Sequence, residues 1–260
     1  MASYQLNDTT VEILKNFASI NNQVVFKQGN LQRACNDTRN FIADVELPDA
    51  LPQECALYEL NRLLGIIDTC KTDKLPTINF GSSSLVVKHD HGSVTIPYAH
   101  ADVVAAPPAV QFHLKKPIAS FDLPQELWQR IKRTAAVLQT TSLHIIVNAK
   151  GELVLKLINE KDKGGDAMGS ASYNMPNTSV YEATENTWAV KFDALELLPG
   201  NYTVEVGEIG NNTNSTTLFG MFFRLNDPNK KVTYLTSGHV VKRSEEHTSE
   251  LQSRETISYA

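Results

Sequence analysis

The sequence predicts an α+β fold made of two similar domains, each with helices laid on one face of antiparallel sheets. Three observations carry that expectation. Short apolar runs with period-two alternation, bounded by turn residues, recur along the chain. The few helical segments each show a single apolar stripe, the pattern of a helix resting on a sheet. The order helix, strands, helix, strands occurs twice with a period of about 115 residues, which marks a duplicated domain rather than a solenoid of short repeats.

The first helix is expected over 9–20, with Ile13, Leu14, Phe17 and Ile20 as its apolar stripe and Lys15, Asn16 and Ser19 away from it. Thr9 followed three residues later by Glu12 has the spacing of a capping box, in which two otherwise unpaired backbone N–H groups are satisfied reciprocally. Strands follow near 23–27, 31–35 and 40–47. A second helix is expected over Leu57–Asp68, burying Leu57, Leu60, Leu63, Leu64 and Ile67 and leaving Asn61 and Arg62 outside. Strands near 76–80, 84–89 and 93–98 complete the first half, with His89-Asp90-His91-Gly92 as a hairpin turn.

Residues 101–117 are rich in Ala, Val and Pro with neither periodicity and read as an extended connection between the halves. In the second half Asp122 is the expected N-cap of a helix running to Leu138, with Pro124 in its first turn. Its stripe is Leu127, Ile131, Ala135 and Leu138, and Arg130, Lys132 and Arg133 avoid it. Strands are expected at 142–148, 152–158, 169–174 and 187–192. A short fourth helix over Asp193–Leu198 would stop at Pro199-Gly200, before strands at 201–208, 217–225 and 231–235. Residues 161–185 read as an insertion without an assigned role. The domain boundaries that follow are 1–103, a linker over 104–117, and 118–242.

Residues 243–260 stand apart. Arg243-Ser-Glu-Glu-His-Thr-Ser-Glu-Leu-Gln-Ser253 matches an in-frame translation of a sequencing-library adapter, and Ile257-Ser-Tyr-Ala260 resembles its continuation. Setting aside that tail's two arginines and four glutamates moves the net charge from −5 to −3.

Composition is that of an ordinary globular protein of 260 residues. No run approaches the roughly 18 apolar residues of a membrane-spanning helix, and no basic-then-apolar leader opens the chain, so a cytosolic setting without membrane contact is expected. Cys35, Cys55 and Cys70 lack metal-ligand spacing and read as reduced, buried thiols. The net negative charge gives no sign of nucleic-acid binding, which would require locally clustered cations. The basic helix faces supply such clusters, although a basic face is ordinarily just solvated. His89, His91, His100 and His113 mimic a metal site, but with no accompanying nucleophile or carboxylate constellation. A His-cluster metalloenzyme and a structural or adaptor β-protein therefore stand as rival readings.

A resemblance sharpens the choice. Thr9-Thr-x-x-Ile-Leu-Lys-Asn-Phe-Ala-Ser-Ile-Asn21 resembles the opening of the DNA polymerase sliding clamps of large tailed bacteriophages. Ala56-Leu-Tyr-Glu-Leu-Asn-Arg-Leu-Leu-Gly-Ile-Ile67 is similar to that family's second helix, and Leu198-Pro-Gly-Asn-Tyr202 to the turn after its fourth. The likeness runs in order from about residue 5 to 236. It implies the DNA clamp fold and a ring-forming homotrimer whose helices line a hole around double-stranded DNA. Lys15, Arg62, Arg130, Lys132 and Arg133 become the candidate DNA-facing residues, with Lys27 and Arg33 weaker because they sit at strand ends. Asp193 and Glu196 leave the fourth helix acidic and its share in the lining doubtful.

The resemblance also implies partners: the C-terminal peptide of a DNA polymerase, an ATP-driven clamp loader, and late-transcription factors as further candidates. The peptide groove is expected between the two domains, near Val103, Val104 and Pro107. No Walker-type glycine loop is present, and neither a cofactor nor a metal is called for. The implied location is the cytoplasm of an infected bacterium, and the implied role is not enzymatic.

Overall fold

The computed structural model describes residues 2–147, 152–159, 169–182, 187–210 and 218–241. The expected tail at 243–260 lies outside them, as do 161–168 and 183–185 of the insertion expected at 161–185. The first half contains β1 (Ala2–Gln5), α1 (Asp8–Ile20), β2 (Val24–Phe26), β3 (Gly29–Cys35), β4 (Phe41–Leu51) and β5 (Cys55–Leu57). It continues with α2 (Leu60–Cys70), β6 (Thr77–Phe80), β7 (Ser84–His89) and β8 (Gly92–Pro97). A single 3₁₀ turn, Ala101–Val103, precedes β9 (His113–Leu123) and α3 (Gln125–Leu138). Then come β10 (Ser142–Val147), β11 (Leu153–Ile158), β12 (Ala171–Asn174), β13 (Ser179–Val180) and β14 (Thr187–Lys191). The set closes with β15 (Tyr202–Gly210), β16 (Leu218–Leu225) and β17 (Lys231–Val241).

Among the described residues all strand pairings are antiparallel. One four-stranded sheet runs β1-β6-β7-β8, and β2 pairs with β5 alone. The large sheet runs β12-β11-β10-β14-β17-β16-β15-β9-β13, with β4 on β17 and β3 on β4. β17 joins the halves. Its first part pairs with β4, from Lys231 opposite Glu46 to Thr236 opposite Phe41. Its last residues pair with β14. Phe41 and Tyr234, stacked at 5.5 Å across that seam, are both fully buried within one continuous apolar core.

Helix starts depart from the local reading for a consistent reason. α1 is capped by Asn7, whose Oδ1 accepts from the Thr10 N–H at 2.8 Å, so the Thr9 capping box does not form. Glu12 instead holds Lys230 at 2.6 Å. α2 begins at Leu60, not Leu57, because 55–57 are drawn into pairing with β2. Asn22 then caps the helix from outside: its carbonyl takes the Leu60 N–H and its side-chain oxygen the Asn61 N–H, both at 2.7 Å. α3 is capped by Asn201, whose Oδ1 accepts from Gln125 N–H at 2.9 Å. Asp122 is a strand residue, hydrogen-bonded by Asn177. Asparagine side-chain oxygens thus take up the orphan N–H groups of all three helices, two of them across tertiary contacts.

The linker reading ends early, since its last residues belong to β9. Pro117 lies within this strand, and proline is tolerated where a ladder is broken. The β9–β15 register does shift between Val206 and Gly207. A Cβ on Gly207 would collide with the Lys116 carbonyl, so only glycine lets the strands approach there.

The fourth helix is absent. Residues 193–198 form tight turns, with Leu195 N–H bonded to the Phe192 carbonyl and Leu197 N–H to that of Leu195. Leu195, Leu197 and Leu198 are all buried. Positions two apart point to different sides of a helix, so burying both 195 and 197 favours a bent, non-helical path.

Candidate nucleic-acid interface

α1 and α2 pack side by side, and α1 rests on β3 and β4. Its buried face includes Ile13, Leu14 and Phe17, as the stripe predicts, and also Asn16, which the sequence places outside. Asn16 is the joint to the second half. Its Nδ2 donates to the Glu196 carbonyl at 2.8 Å, and its Oδ1 accepts from the Tyr234 hydroxyl at 2.7 Å. That hydroxyl accepts in turn from the Leu198 N–H, and Tyr202 donates to the Leu198 carbonyl at 2.7 Å. Burial raises the pKa of both tyrosines, so they remain neutral donors.

On the other side, the ring of Phe192 meets Trp128 of α3 at 5.4 Å. The result is a continuous layer, ordered α2, α1, segment 193–198, α3. Lys15 of α1, Arg62 of α2, and Arg130, Lys132 and Arg133 of α3 are all exposed on it. Arg62 has a long, solvated pair with Glu59 at 3.6 Å. Among the described residues no ion pair engages Lys15 or the three cations of α3, so their charge is available to a ligand. Such a layer can neutralise phosphates without reading bases.

The two weaker candidates have other work. Lys27 pairs with Glu54 at 2.7 Å in solvent. The Arg33 guanidinium is only 15% exposed and donates to Asp44 and to the Pro108 carbonyl, both at 2.6 Å. It ties the connection between the halves to β3 and β4.

Val103, Val104 and Pro107 do not form one groove. Val103 is 62% exposed, whereas Val104 is buried against Val25 and Ala56 and Pro107 is half-buried. A cleft of about 510 Å³ opens further along, between β3–β4, residues 111–114 and β16–β17. Its apolar lining is Leu31, Phe112, Leu114, Phe222, Leu225 and Val232, with the Lys231–Glu46 pair on its wall. Phe112 and Leu114 pack on a small buried cluster of Ile209, Phe222 and Leu235. Their alternation at the start of β9 is the sequence signal for this cleft, and the linker reading passed over it.

The histidines form a hairpin rather than a ligand set: His89 pairs opposite Gly92 across the β7–β8 turn, and His100 sits beside Asp102 at 3.2 Å. Among the described residues no three His, Cys, Asp or Glu side chains converge. The three cysteines are free and buried, and burial pushes the Cys55 thiol up to about 12. No described helix is long and apolar enough to cross a membrane.

No protein-family model matches the chain. Among solved structures it resembles the PCNA of A. fulgidus bound to the C-terminal region of FEN-1, with TM-score 0.63, 14% identity and coverage of 94% of this chain and 100% of that one. PCNA from Thermococcus kodakaraensis gives TM-score 0.61 at 13% identity over 91% and 98% of the two chains. These likenesses establish the clamp fold. Among curated proteins, the sliding clamp of Vibrio phage KVP40 is 31% identical over 212 residues, spanning 79% of this chain and 91% of that protein. The sliding clamp of Escherichia phage RB69 is 27% identical over 205 residues, 77% of this chain and 86% of that protein. With this fold, this helix layer and that degree of identity along nearly the whole of a phage clamp, the chain belongs to the sliding clamp family.

Proposed function

We propose that three copies of this chain close into a ring around duplex DNA and tether the replicative polymerase for processive synthesis. The observation that carries this is the segregation of the molecule: one layer holds the helices with their exposed cations, and the sheets lie behind it. A clamp must stay on DNA yet move along it. Loose contacts from Lys15, Arg62, Arg130, Lys132 and Arg133 attract the backbone without fixing register, and retention comes from closure. The Asp193 and Glu196 segment takes no part in that attraction.

Assembly as a head-to-tail trimer is supported by sheet edges left unpaired among the described strands, among them β8 at one end of the four-stranded sheet and β12 at one end of the large sheet. Pairing β8 of one copy with β12 of the next would cover both and close on itself. The two clamp domains of the subunit are then 1–103 and 118–242, with the intervening connection shortened by β9. The cleft at Leu31, Phe112 and Phe222 is the candidate seat for a polymerase C-terminal peptide, and late-transcription factors are further candidates for it. Loading falls to a separate ATP-driven loader. The work is mechanical, needs no catalytic group, and takes place in the cytoplasm of an infected bacterium.

The test is retention on circular against linearised DNA after loading with loader and ATP. Retention that vanishes on linearisation supports the ring. Equal retention on both forms overturns it.

A further inference from the structure

The middle of the helix layer is the part of the molecule that neither the family likeness nor the cation pattern explains. Between Lys15 on one side and Arg130, Lys132 and Arg133 on the other lies segment 193–198, non-helical and acidic. Asp193 is exposed and Glu196 half-exposed. Among the described residues neither carboxylate has an ion-pair partner, which also holds for Asp68 of α2 and Glu126 of α3, whereas Asp8 pairs with Lys71, Glu12 with Lys230 and Glu59 with Arg62.

The segment is also held in place. Leu195, Leu197 and Leu198 anchor it in the core. Asn16 donates to the Glu196 carbonyl, Tyr234 accepts from the Leu198 N–H, Tyr202 donates to the Leu198 carbonyl, and Phe192 lies against Trp128. Two uncompensated negative charges are therefore fixed relative to the cations that flank them.

We infer that Asp193 and Glu196 are built-in anionic spacers that weaken the layer's hold on phosphates and so lower the friction of sliding. This rests on the reading that the layer faces the duplex. Cations alone, in three copies around a hole, would accumulate counterion-release affinity with each phosphate neutralised. Fixed carboxylates among them subtract from it at short range and are screened at longer range. The same residues also break the row of cations, so that no continuous track forms between α1 and α3 for the backbone to settle into.

The experiment is fluorescence anisotropy of a short labelled linear duplex, onto which the closed ring threads without a loader, between about 50 and 200 mM salt. The near-isosteric pair Asp193→Asn with Glu196→Gln is expected to bind at least about threefold tighter at the low-salt end, with the gain shrinking as salt rises. Asp193→Lys alone should extend the gain. The control is Asp90→Asn with Glu208→Gln, which removes equal charge from the β7–β8 turn and from β15. Unchanged affinity in the first pair, or an equal gain in the control, overturns the inference. Arg130→Glu with Arg133→Glu, run alongside, separates the two levels. If that pair weakens binding while the acidic pair changes nothing, the spacer idea fails alone. If neither changes binding, the reading of the layer as duplex-facing falls as well.

Discussion

Asn16 and Tyr234, 218 residues apart in the chain, meet in a buried 2.7 Å hydrogen bond that joins the first helix to the last strand. The amide's other end reaches the Glu196 carbonyl, so a single side chain bridges both halves. A polar residue that is fully satisfied inside a core specifies one docking geometry, because any shift leaves it unpaired.

Replacing Asn16 by Ala is expected to destabilise the subunit by about 2–4 kcal/mol, since the Tyr234 hydroxyl and the Glu196 carbonyl both lose partners in a buried site. Tyr234→Phe should cost less, about 1–2 kcal/mol. Urea unfolding of the two single variants and the double variant measures the coupling. Additive losses would show that the contact contributes nothing beyond its parts.

The remote caps make a second prediction. Asn22→Ala and Asn201→Ala each remove a side-chain acceptor from a helix start and should cost about 1 kcal/mol, with Asn→Ser at either site recovering less than a local cap would. Hydrogen exchange of the first turn of α2 or α3 is the direct readout. Loss of protection confined to the helix that each asparagine serves is the expected outcome.

Reversing Arg130 and Arg133 to glutamate should impair loading and sliding while leaving the assembled ring intact, because both side chains are exposed and unpaired among the described residues. Sedimentation of the variant and its retention on circular DNA separate the two effects. A dissociated ring would move these residues to the subunit interface.

Stability should also fall at alkaline pH, with the sign fixed by the raised pKa values of buried thiols and phenols. Cys55, Tyr202 and Tyr234 all titrate higher in the fold than their ordinary values of 9.0 and 10.0, chiefly through burial. Their unfolded forms lose protons first, so the fold's advantage is complete below pH 9 and declines above it. The slope is up to about 1.4 kcal/mol per pH unit for each group engaged. Because burial raises the Cys35 thiol as well, Cys35→Ala with Cys55→Ala should move the onset of the decline from near pH 9 toward pH 10. Denaturation midpoints from pH 8 to 11 would reveal it, and an onset unmoved by the double substitution would exclude the thiols as its source.

Much of the architecture was legible from the chain. The α1 stripe, the β7–β8 hairpin and the exposed cations of α3 follow from local period and turn chemistry, and appear where expected. The misreadings share a cause. Leu57 carries a helical period but is claimed by β2; residues 113–117 show no period of their own but pair with β15; 193–198 is helix-like in composition but must bury leucines two apart. Each is a local preference overridden by a partner supplied from elsewhere. The cleft was missed because its lining comes from three separate stretches, of which only Phe112 and Leu114 lie in the connection.

By itself the sequence determined the fold class, the duplicated order of elements, the apolar face of each helix and the family likeness. These depend on residue spacing, which any segment carries within itself. Tertiary structure decided where α2 and α3 begin, that Asn16 turns inward, that no fourth helix forms, and that β17 binds the halves together. The physical reason is that a buried polar group or a helix end is stable only when its hydrogen-bonding partner is present. Here those partners, Asn22, Asn201, Tyr234 and the Glu196 carbonyl, lie 38 to 218 residues away along the chain, and only folding brings them within reach.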